Sequence, residues 1–217
     1  MAPRKKELIY AELKKSILGM KIRPHEVLKE EEVAVRFGVS RTPAREALQL
    51  LEKEGFLVQL KKVGYVVKPL TRNDLKEIIG IRSVLEGYAA SLATIRHDPR
   101  TIARLRRINE KARRYLENND LQKFFKNSSE FHNVIYLSSG NSRLCALIES
   151  LRDNFLRYRR MLLRIPRMPA VQIKDHEEML DAMEKGNEKL VEKMVREHII
   201  RGGEILLRHI EKEPVVE

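Results

Sequence analysis

Phe37-Gly-Val-Ser-Arg-Thr-Pro-Ala-Arg-Glu-Ala-Leu48 has the form of a short helix, a tight turn and a second helix. Val33, Ala34 and Phe37 are apolar at helical spacing, and Gly38 breaks the run. Ser40 or Thr42 can cap the second helix, and Pro43 falls in its first turn, where its missing N–H costs nothing. Ala44, Ala47, Leu48 and Leu51 make one apolar face, leaving Arg41, Thr42, Arg45 and Gln49 for another. A basic, hydrogen-bonding N-terminus on the second helix of such a hairpin is what reading the major groove of DNA requires.

Outward from this hairpin, apolar residues recur at Leu8, Ile9, Leu13, Ile17 and Leu18, which predicts a preceding helix over residues 7–18. Downstream, Gly55 stops the second helix, and Phe56–Leu60 and Tyr65–Lys68 are short β-prone runs joined by Lys61-Lys-Val-Gly64. Three helices and a β-hairpin make a winged helix, with Lys61 and Lys62 at the wing tip suited to phosphate contact. Pro69-Leu-Thr71 marks a boundary between residues 1–70 and 71–217. Beyond it the pattern predicts helices at about 71–96, 99–117, 120–137, 141–163, 170–185 and 187–211, an all-α antiparallel bundle. The fold class is therefore mostly α.

Charge agrees with a nucleic-acid partner. The chain carries a formal net charge of +12, with 15 basic and 9 acidic residues in the first 70 and 28 and 22 in the remaining 147, so the excess is densest around the helix-turn-helix. Cys145 is the sole cysteine, which excludes an internal disulfide and any multi-cysteine metal site and fits a reducing cytoplasm. No segment reaches roughly 20 uninterrupted apolar residues, and the first residues lack the apolar core of a signal peptide, so no membrane partner is expected.

The order Tyr10-x-x-Leu13, Leu28-x-Glu-Glu-x-Val33-Ala34, Phe37 to Leu48, Leu51-Glu-x-Glu-Gly55 and Gly64-x-x-Val67 resembles the winged helix of the GntR transcription-factor family. The helical remainder resembles the FCD ligand-sensing domain of its FadR subfamily, through Arg82-x-x-Leu85-Glu86-x-x-Ala89-Ala90 and the positions of Phe131-His132, His176 and His198. The resemblance implies a homodimeric transcriptional regulator, acting as a repressor on a palindromic double-stranded operator, with Arg41, Thr42, Arg45, Lys61, Lys62 and Gly64 at the DNA. It also implies a small carboxylate effector, with Arg82 as its clamp and Arg157 and Arg159 as weaker candidates. Where the family often has an arginine near the start of the hairpin's first helix, this chain has Glu31.

His132, His176 and His198 each fall on an apolar helix face: with Phe125, Ser128 and Ile135; with Ile173, Leu180 and Met183; and with Leu190, Met194 and Ile205. Three inward imidazoles on three helices suit a divalent transition metal such as zinc or nickel. His25 and His97 lie beside prolines in loops and read as solvated, and His209 has no role. Metal-binding members of the family carry an aspartate four residues before the first histidine, and here that residue is Ser128. Three arrangements are open: three histidines with water or effector completing the shell and Ser128 facing it, substitution by Asn127 or Glu130, or no tight metal. A three-histidine hydrolase is a competing reading, but no HExxH is present, and Glu130, Asp175 and Glu177 neighbour the histidines in sequence only. An architectural DNA-binding dimer without effector is another; metal and effector binding would separate it from a sensor.

Overall fold

The computed structural model describes residues 5–69, 71–96, 98–151, 165 and 167–210. The chain divides into two compact units, Met1–Thr71 and Arg72–Glu217.

In the first unit α1 (Lys5–Leu18) buries Ile9, Leu13 and Ile17. The element β1 (Val27–Leu28) leads into α2 (Glu30–Phe37), which ends at Gly38 in the left-handed region, φ 61°, with its N–H turned back on Ala34 and Val35. The helix α3 (Arg41–Lys53) buries Ala44, Ala47, Leu48 and Leu51, spaced so that all four lie on one side. Ser40 stands at its N-cap with extended backbone but makes no capping bond, and Thr42 lies inside the helix, so the expected side-chain cap is not formed. Deleting the buried Leu48 side chain down to alanine would cost about 2–5 kcal/mol, a large share of a small domain's stability.

The wing is β2 (Leu57–Leu60) and β3 (Gly64–Val67), antiparallel in the register Leu57 opposite Val67 and Leu60 opposite Gly64. The hairpin is not alone. β1 pairs with the other edge of β3, Val27 opposite Val66, giving the order β1-β3-β2 among the described residues. The sequence pattern does not reveal this strand. It also explains Gly64: at φ 124°, a Cβ there would come within 3.0 Å of the Leu28 carbonyl oxygen on β1.

The second unit is helical throughout the described residues: α4 (Arg72–Arg96), α5 (Pro99–Glu117), α6 (Leu121–Ser138), α7 (helical over 142–151), α8 (Met168–Glu184) and α9 (Glu188–Ile210). The rest of the expected 141–163 helix lies outside the described residues. Asp98 and Asp120 cap α5 and α6 by accepting from the backbone N–H groups of Arg100 and Lys123. α4 packs along α9, α5 packs against α6 and α8, and Ala112, Phe124 and Ile173 join the last three in one apolar cluster. α4 is long and apolar enough by composition to cross a membrane, but more than half of its apolar window is buried in this bundle, as befits a core helix. Its contact with α9 is close: a Cβ on Gly203 of α9 would run into the Ile79 side chain on α4.

Candidate functional site

Each of three helices delivers one buried imidazole to a common point. On α6 the buried positions Phe124, Ser128, Phe131, His132 and Ile135 repeat with helical period, so His132 faces inward. On α8, Ile173, His176, Leu180 and Met183 do the same. On α9 His198 is buried with Val191, Val195, Ile199 and Leu206. The face expected for it was off by about one residue: Leu190 is 43% exposed, and the buried row runs through Val191 and Val195.

The three rings form a near-equilateral triangle, with centroids 5.1 Å apart for His132 and His176, 5.5 Å for His132 and His198, and 5.3 Å for His176 and His198. One nitrogen from each can be chosen so that all lie within 4.8 Å of one another. The Phe131 ring stacks on His176, 3.9 Å between centroids and 5° from parallel, which fixes that ring's plane. His198 Nδ1 lies 2.7 Å from Asp175 Oδ2, which also accepts from Arg201 Nη2 at 2.5 Å. Burial works to raise the Asp175 carboxyl, but the hydrogen bond and charge of His198, with Arg201, outweigh it and hold the group below its ordinary range. The hydrogen bond to Asp175 engages Nδ1, so Nε2 is the nitrogen of His198 that remains to serve as a metal ligand.

Ser128 is buried one turn before His132, and Asn127 beside it is buried with its Oδ1 lacking a hydrogen-bond partner among the described residues. Glu130 is ion-paired with Arg104 at 3.1 Å and half exposed, and Glu177 is paired with Arg113. Both carboxylates are thus engaged by α5. Asp175 was expected to neighbour the histidines in sequence only; its bond to His198 corrects that reading, and because the link crosses between helices it leaves no periodic signal.

Arg82 of α4 is buried, its Nε donating to Glu86 Oε1 at 2.6 Å, while the Tyr136 hydroxyl of α6 donates to the other Glu86 oxygen. The Tyr136 ring lies 6.2 Å from that of His132, so the network ends beside the histidines. Arg157, Arg159 and His97 lie outside the described residues. His25 is exposed, as expected.

In the first unit Arg41, Thr42 and Arg45 share the exposed side of α3. Lys61 and Lys62 are exposed in the turn after β2, Lys62 at φ 65°. The two arginines are not bare. Arg41 Nη2 lies 2.6 Å from Glu31, and Arg45 contacts Glu30 through Nε at 3.0 and 2.9 Å and Nη2 at 2.9 Å. The departure at Glu31 thus places an acid against a candidate reader of bases.

Residues 5–67 match the family described as bacterial regulatory proteins, gntR family, and residues 77–201 match the FCD domain. Among curated proteins the chain is 30% identical over 206 residues to the uncharacterized HTH-type transcriptional regulator YdhC of Bacillus subtilis, spanning 94% of this chain and 91% of that one. It is 30% identical over 173 residues to a probable D-xylose utilization operon transcriptional repressor of Paenarthrobacter nicotinovorans, spanning 79% and 75% of the two. The fold is that of E. coli McbR/YncC, with a TM-score of 0.75 at 23% identity, covering 95% of this chain and 99% of that one. A winged helix-turn-helix followed by a helical domain with three converging histidines thus belongs to the GntR family of transcriptional regulators, in its FCD-containing branch.

Proposed function

We propose that this DNA-binding regulator is a cytoplasmic, homodimeric repressor of a palindromic operator, released or tightened by a small carboxylate effector that meets a divalent transition metal, zinc or nickel, on His132, His176 and His198. The observation that carries the reading is the triangle of buried imidazoles with His198 already oriented by Asp175. Three imidazole donors delivered by separate helices to within 4.8 Å of one another fit a borderline divalent cation. When bound, the metal supplies a positive charge with open coordination positions. Ser128 adds no negative charge there, which favours an anionic ligand. Arg82, braced by Glu86, is the proposed partner for the ligand's carboxylate.

At the other end of the chain, Arg41, Thr42 and Arg45 are the proposed readers of base edges, and Lys61, Lys62 and the backbone at Gly64 the proposed phosphate contacts. A repressor role is supported by relatives named as repressors of xylose and gluconate operons. A dimer is supported by Ile81, Val84, Tyr88 and Ile95, which form a stripe along α4 and are each 47% or more exposed. Such a row is self-complementary across a two-fold axis.

Calorimetry with metal analysis on the full chain tests the reading. His176→Ala should lose both metal and effector while still binding operator, because the winged helix has its own core. Ser128→Asp should tighten metal and weaken an anionic effector. Effector binding that survives His176→Ala overturns the metal-centred mechanism, and operator affinity indifferent to metal and carboxylates alike would leave an architectural dimer. A genuine effector must alter operator affinity by the same factor as operator alters its own.

A further inference from the structure

The two arginine pairs on α3 differ in a way that a pair of solvated ion contacts would not. Arg41 and Glu31 meet through one nitrogen and one oxygen, with side chains 66% and 64% exposed, so either partner can swing away. In the second pair Arg45 is 56% exposed but Glu30 only 21%. The carboxylate is the anchored member. It sits at the first residue of α2, where the helix N-terminus favours negative charge. It also lies near enough to the sheet that the buried Tyr65 phenol is pushed up, first by burial and then by the charge of Glu30. Arg45 is the member that projects outward.

We infer that Glu30 is a positioning residue that fixes Arg45 to read guanine, an inference that rests on the base-reading role proposed for Arg45 above. Nε of Arg45 is committed to Glu30, with Nη2 alongside. That occupies the side edge of the guanidinium. The remaining two-pronged edge is the terminal Nη1 and Nη2 pair, whose parallel N–H bonds match the O6 and N7 acceptors of guanine in the major groove. Adenine offers a donor where guanine offers O6, so a fork held in this attitude rejects it. A flexible arginine with no brace could instead satisfy a phosphate or either purine through N7. Glu30 therefore converts a cation into a base-specific contact, while Glu31 only shields Arg41.

The test uses the full-length protein and the operator it selects from a random duplex library, followed by affinity measurements against every single-base variant of that operator and against scrambled duplex. Arg45→Ala should flatten the preference at one guanine in each half-site. Glu30→Gln, close to isosteric, should flatten the same position and weaken the selected operator by about tenfold, while affinity for scrambled duplex holds or rises because a negative charge has gone. Glu30→Asp, which keeps the carboxylate, should retain part of the preference. Equal gains on selected and scrambled DNA in Glu30→Gln would mean that the carboxylate only repels phosphate, and would overturn the inference. So would an unchanged preference in Glu30→Gln at the position that Arg45→Ala flattens. If Arg45→Ala itself keeps every preference, the base-reading role of Arg45 falls first and the inference with it. Thermal melts of each variant establish that the winged helix is folded.

Discussion

Asp175 has more leverage on the histidine triangle than its place outside it suggests. Its carboxylate is shared between His198 and Arg201, so it sets which nitrogen of His198 carries the proton. Asp175→Asn can still hydrogen-bond but no longer demands a proton on Nδ1, and partners of this kind are commonly worth about 10- to 100-fold in metal affinity. We predict a loss of that order in competition titrations with a chelator, without change in the far-ultraviolet helix signal. Unaltered metal affinity would mean that the triangle is held by packing alone. The three histidines were legible in the sequence because their order and spacing matched a family; Asp175 was not, because its partner is 23 residues away on another helix and its function depends on how both helices are rotated.

Helix existence and ends were legible wherever punctuation was strong. Asp98-Pro99 and Gly38 mark their boundaries chemically, and α5 spans the expected 99–117. β1 was not legible, since two residues carry no period and their partners Tyr65 and Val66 lie far along the chain. The contact between α4 and α9 was equally invisible, because a glycine in a helix looks like a defect until its neighbour is known. Gly203→Ala tests that contact. In an open helix the change would gain about 1 kcal/mol from propensity, but here the new methyl meets Ile79. A net loss of about 1–3 kcal/mol by urea denaturation is expected. Combined with Ile79→Ala, the two costs should sum to less than their separate values, because the second substitution vacates the space that the first requires. Stabilisation by Gly203→Ala alone would show that the helices have room to separate.

For the molecule as a whole, the apolar row on α4 is the feature that a lone chain leaves unexplained. Ile81, Val84 and Tyr88 fall three and four residues apart on the one helix, a single seam and not scattered exposure. Tyr88→Glu should shift sedimentation from dimer to monomer at micromolar concentration and weaken the operator far more than a single half-site duplex. A variant that stays dimeric would place the seam elsewhere. The acid-opened helix α2 has a further consequence, in time and not in affinity. While Glu30 and Glu31 neutralise Arg45 and Arg41, the far field that draws the protein to DNA comes from cations off the recognition helix, Lys61 and Lys62 on the wing among them. Arrival and residence then have separate owners. Removing the wing lysines should slow association and flatten its dependence on salt, whereas removing Arg45 together with Glu30, which leaves the summed charge unchanged, should leave arrival nearly untouched and shorten the stay, a division that association and dissociation rates recorded on one operator would separate.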